Sequence, residues 1–95
     1  MSALLTAVGD ALARATGMTP TQARGTLRLM LKDRNVDPSI ARKADVRPLL
    51  GPALDAELQK RHVTLVSKEA RASIERALDA AKELDDAYDL FSDID

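Results

Sequence analysis

The chain contains no cysteine and no tryptophan, and His62 is its single histidine. Without cysteine neither a disulfide framework nor a thiolate metal site can form, and one imidazole leaves no histidine cluster to replace them. Aromatic residues are as scarce: Tyr88 and Phe91 are the only two. The core must therefore be built from Leu, Val, Ala, Met and Ile. The four glycines are isolated from one another, which excludes a glycine-rich phosphate loop. Asp85 and Asp86 are adjacent, so a helix points them in different directions and they form no general acid/base pair. These absences describe a non-enzyme with no cofactor and no metal. The opening "MSALLTAVGDALARATG" carries no basic leader and no long apolar run, and Asp10 interrupts it. It reads as folded protein, neither signal peptide nor membrane span, and a cytoplasmic location is expected.

What is present fits one small domain. A chain of 95 residues buries only roughly 60 to 65 % of its unfolded surface, so a dimer interface would help it. Charge is uneven behind a net value of −1: ten Lys or Arg stand against six Asp or Glu through Arg61, and four against nine from His62 onward. The first part can meet an anion; the second can meet a cationic partner or screen the first.

Local signals divide the chain into helices. Leu4, Leu5, Val8, Leu12 and Ala15 recur at helical spacing and predict a helix over 3–16. Gly17 suits a left-handed helix end, and Thr19 followed by Pro20 is a cap followed by a proline at the first helical position. The second helix buries Ala23, Leu27, Met30 and Leu31 and frays near Asn35, and Asp37 caps a new segment that contains Pro38. Pro48 and the pair Gly51-Pro52 break the next stretch into short helical pieces. "HVTLV" is the only β-branched run, an extended connector or a strand that pairs with a second subunit. From Ser67 onward, Ala70, Ile74, Ala77, Ala81, Leu84, Tyr88 and Phe91 form a heptad seam, which packs within the fold or on a twin chain.

The expected fold is all-α, a small bundle of four to five helices in a single domain over 1–95. It comprises a helix-turn-helix-like pair over 1–35, short helices and a connector over 36–66, and a long C-terminal helix with an acidic end over 67–92.

The stretch "LARATGMTPTQARGTLRLML" is the strongest functional signal. A helix-turn-helix needs a small residue where its helices cross, a turn glycine and an apolar anchor on the second helix, places held here by Ala13, Gly17 and Ala23. The run "GMTPTQARGTL" resembles the corresponding run of helix-turn-helix repressors, with Gly17, Met18, Thr19, Ala23 and Leu27 at the recurring positions. The resemblance covers about a quarter of the chain. It implies a small regulator that binds DNA as a dimer through the second helix. Thr21, Gly25, Arg28 and Lys32 line the outward stripe of that helix, with Gln22 and Arg24 on its flanks. Gln22 and Arg24 would choose the sequence, whereas Arg28 and Lys32 would hold anions; Thr21 would contact phosphate. Gly25 in a helix interior implies close approach to a backbone or a helix crossing.

The same opening also resembles the N-terminal helix pair of histone-like HU proteins. The prolines and helical pieces that follow replace the β-arm of that family. "RHVTLVSKEARASIERAL" begins like a ribbon-helix-helix, but no turn and second helix follow it.

The end, "LDDAYDLFSDID", sets both aromatics among five Asp, the composition of a docking peptide for a basic groove with an apolar floor. An alternative function is therefore a non-enzymatic helical adaptor that binds a partner protein. Its contacts would be an exposed Leu29, the seam residues Ile74 and Leu84, or the tail residues Tyr88 and Phe91.

Overall fold

A computed structural model of the chain describes residues 3–65 and 68–81. They form an all-α fold with five α-helices and two 3-10 turns. The helices are α1 (Ala3–Thr16), α2 (Pro20–Asp33), α3 (Lys43–Val46), α4 (Pro52–Lys60) and α5 (Lys68–Ala80). The 3-10 turns are Pro38–Ile40 and Arg47–Leu50. Among the described residues no helix is long and apolar enough to cross a membrane.

The turn between α1 and α2 is built from its own side chains. The Gly17 amide donates to the Ala13 carbonyl at 2.9 Å with φ at 83°, a conformation that only glycine adopts without a Cβ penalty. The Thr16 hydroxyl donates to the Leu12 carbonyl and accepts from the Met18 amide. Thr19 and Gln22 then satisfy each other reciprocally: the Gln22 amide donates to the Thr19 hydroxyl, and the Thr19 amide to Gln22 Oε1, both at 3.1 Å. This capping box stabilises the entry into α2, and Pro20 loses nothing at a position whose amide has no helical partner.

Two helices end in the same way. At the end of α2 the Asn35 amide donates to the Lys32 carbonyl and the Val36 amide to the Leu31 carbonyl. At the end of α4 the His62 amide donates to the Gln59 carbonyl and the Val63 amide to the Leu58 carbonyl. Both are Schellman motifs, which need a left-handed residue at the pivot. Asn35 has φ of 62° and His62 φ of 56°. Asn occupies that region routinely, helped by its short polar side chain; His does so less readily.

α1 is the central helix, with α2 and α5 both packed on it. Its Leu4, Leu5, Val8 and Leu12 are buried, as are Ala23, Leu27, Met30 and Leu31 of α2, the stripe expected from spacing. Val46, Leu49, Leu50, Leu54 and Leu58 from the short middle helices close the core. Each fully buried Leu contributes on the order of 1.5–3 kcal/mol over exposure. Thr26 is buried and polar, and its hydroxyl donates to the Gln22 carbonyl at 2.9 Å, so no desolvated donor is left.

Two expectations change in the folded chain, at Gly25 and along α5, and two others are refined. A close approach of α1 and α2 falls at Gly9, where a Cβ would lie 2.4 Å from Arg24 Cγ and 3.4 Å from the Arg24 backbone. Gly25 marks no helix crossing, since a Cβ there would meet nothing within 4 Å. Residues 63–65 run as the extended connector, one of the two forms expected, with Val63 and Leu65 leaning on the core. The buried stripe of α5 is Ala70, Ile74 and Leu78, with Ala77 and Ala81 only partly buried. Packing on a single straight helix follows the 3.6-residue period rather than a strict heptad, which brings in Leu78. Ile74 is therefore 1 % exposed inside the chain and not available to a partner. Ala81 lies in a bend after α5, and the expected continuation of the helix to 92 lies outside the described residues.

Both ends of α5 are tied by charge. Arg71 donates to the Leu50 carbonyl and to Asp55, while Asp79 accepts from Arg47 through its carboxylate and from Lys43 through its carbonyl.

Candidate binding groove on the second helix

The face of α2 turned away from α1 forms one wall of an open groove of about 610 Å³. Arg61, the C-cap of α4, and Val63, in the connector after it, complete its lining. Three features define the groove. Its apolar surface comes from Met18, Leu29 and Val63; Gly25 leaves room in the α2 wall; and Arg28, Lys32 and Arg61 supply positive charge.

Leu29 is 51 % exposed, whereas Leu27, two residues earlier, is 0 % exposed. Neither Arg28 nor Lys32 forms an ion pair with a described residue. Arg61 is held by Glu57, one turn before it on α4, and the same carboxylate lies 3.6 Å from Lys60. The Arg61 hydrogen bond, with the charges of Arg61 and Lys60, holds the Glu57 carboxyl below the usual glutamate range against a desolvation that pushes it up. Arg61 is thereby positioned at the groove with part of its charge neutralised. His62, between Arg61 and Val63, is the left-handed pivot of the α4 cap.

The structure separates the residues expected to contact DNA. Gln22, Arg28 and Lys32 line the groove, joined by Leu29, which the sequence reading assigned to protein contact. Gln22 Oε1 is engaged in the helix cap, which leaves the side-chain NH2 group for other contacts. Thr21 is exposed but lies outside the groove. Arg24 points elsewhere: its stem covers Gly9 and its guanidinium sits 3.5 Å from Asp10, so it fastens α2 to α1. This contact engages the guanidinium that the sequence pattern assigns to the choice of DNA sequence. Leu84, Tyr88 and Phe91 lie outside the described residues.

Sequence reasoning missed Arg61 and Val63. They stand about thirty residues from α2, and no spacing rule connects them to it. The sequence pattern marks Met18 only as a turn residue and does not single out Thr26; the i, i+3, i+4, i+7 relation of Gln22, Gly25, Thr26 and Leu29 is the signal that places Thr26 and Leu29 beside the others.

Comparison of the chain with protein-family models, with curated proteins and with solved structures finds no match.

Proposed function

We propose that this protein is a non-enzymatic helical interaction module that holds an apolar, acidic polypeptide segment in the groove along α2. The carrying observation is the half-exposed Leu29 on the groove wall beside the open space at Gly25, with Arg28, Lys32 and Arg61 around it. An exposed leucine in a concave site gains from burial against an apolar side chain, and the surrounding cations select acidic flanks.

DNA binding by α2 is the second reading, favoured by the exposed Thr21, Gln22 and Lys32. A recognition helix must project into a major groove about 12 Å wide. Here the helix face is flanked by Arg61 and Val63, and Arg24 is spent on Asp10.

An NMR titration of the full chain decides between them. Acidic peptides with aromatic or leucine side chains should shift the Gly25 amide and the Leu29 and Val63 methyl resonances, and Leu29→Ser should weaken that binding at least severalfold. Binding of random duplex DNA that falls steeply with salt and ignores Leu29→Ser would establish the regulator reading instead.

A further inference from the structure

Resting on the groove reading just given, we infer that the occupant of the groove in the free protein is the chain's own segment 84–94. Three observations converge on it. The groove pairs apolar surface with cations: Leu29, Met18 and Val63 against Arg28, Lys32 and Arg61. The segment has the complementary composition, with Tyr88, Phe91 and Ile94 set among Asp85, Asp89 and Asp93 and no Lys or Arg after Lys82. The charge division of the chain follows the same line, since the cationic surplus lies before His62 and the anionic surplus after it.

Tether length and effective concentration bear on the contact. Tyr88 and Phe91 lie seven and ten residues beyond Ala81, and an extended chain covers roughly 3.3–3.6 Å per residue, so the two rings can lie up to about 25 and 35 Å from it. A segment joined to its site by a short tether experiences an effective concentration on the order of millimolar, so even a weak intrinsic affinity fills the groove. The segment then acts as a competitor that an external acidic peptide must displace. Aromatic side chains entering beside Leu29 supply the apolar contact, and the Asp residues pair with Arg28 and Lys32, which have no ion-pair partner among the described residues.

The test compares the full-length protein with its full-length double variant Tyr88→Ala/Phe91→Ala by NMR, at several protein concentrations and with an added peptide of sequence 82–95 as probe. The expected result is a change in resonances confined to Gly25, Leu29, Val63 and their neighbours, independent of protein concentration. The variant should also bind the added peptide about three- to tenfold more tightly, because its own competitor is weakened. A charge-reversed Lys32→Glu protein, in which the groove residues are no longer complementary, should show little response to the same tail substitutions. Unchanged groove resonances with equal peptide affinity in both proteins would overturn the inference while leaving the groove reading intact. Changes that grow with protein concentration would also overturn it, since the segment then comes from a second copy. No groove change and no peptide binding in either protein would end both. Groove changes without binding of other acidic peptides would keep this inference and remove the proposed partner function.

Discussion

The two sides of α2 contrast most clearly in their glycines and leucines. Toward α1, Gly9 is required because Arg24 passes over it, and Leu27 is fully buried. Toward the groove, Gly25 faces open space and Leu29 stands half exposed. The same residue types serve packing on one side and leave an unfilled surface on the other. A glycine in a helix interior costs about 0.5–1 kcal/mol relative to alanine. At Gly9 the close helix contact offsets that cost; at Gly25 nothing within the described chain does.

The largest effect should separate the two leucines. Leu27→Ala is expected to lower stability by about 2–5 kcal/mol, the usual range for a cavity in a close-packed core. Leu29→Ala should stay within about 0.5 kcal/mol. Urea denaturation measures both, and similar losses would show that Leu29 is also a core residue.

The glycines should respond with opposite signs. Gly9→Ala forces the Arg24 stem aside and is expected to cost about 1–3 kcal/mol, whereas Gly25→Ala should add about 0.5–1 kcal/mol in thermal unfolding. A neutral Gly9→Ala would mean that Arg24 moves freely and that the crossing of α1 and α2 has slack. If Gly25→Ala stabilises the fold but weakens peptide binding, the open space serves the groove.

A smaller difference should separate the two helix ends. His62→Gly is expected to raise stability by about 1 kcal/mol, and Asn35→Gly by less, because Asn already tolerates the left-handed conformation. Equal gains would show that His62 carries no special strain.

The smallest effect concerns pH. The carboxyl of Glu57 is depressed in the folded chain, so its contribution is present above the ordinary glutamate range and lost as pH falls through the folded value. Glu57→Gln should therefore lower stability slightly at neutral pH, by about 0.3–0.5 kcal/mol as for other i, i+4 pairs, and flatten the acid side of the profile. Denaturation at pH 7 and below pH 4 checks this, and an unchanged acid slope would place the titration elsewhere.

Much of the fold was legible because its signals are local. Thr19 and Pro20 mark the start of α2, Gly17 the preceding turn, and Asp37 with Pro38 the next segment, each through bonds made within a few residues. The stripe of Ala23, Leu27, Met30 and Leu31 followed from helical period alone. The candidate site was legible only in part: Arg28 and Lys32 fall on the outward stripe and Gln22 and Arg24 on its flanks, yet Gln22 lines the groove while the Arg24 stem packs over Gly9. A basic side chain on a helix flank looks the same in sequence whether it faces solvent or folds over a neighbouring glycine.

The amino-acid sequence by itself determined the helices, their caps and the all-α class, because hydrogen bonds between near neighbours and the 3.6-residue period are written along the chain. The tertiary structure decided three other things: that α1 and α2 approach closely at Gly9, that Leu78 replaces the strict heptad, and that Arg61 and Val63 join α2 in lining the groove. Each depends on which segments far apart in the chain meet, and that is set by the joint packing of every side chain in the core.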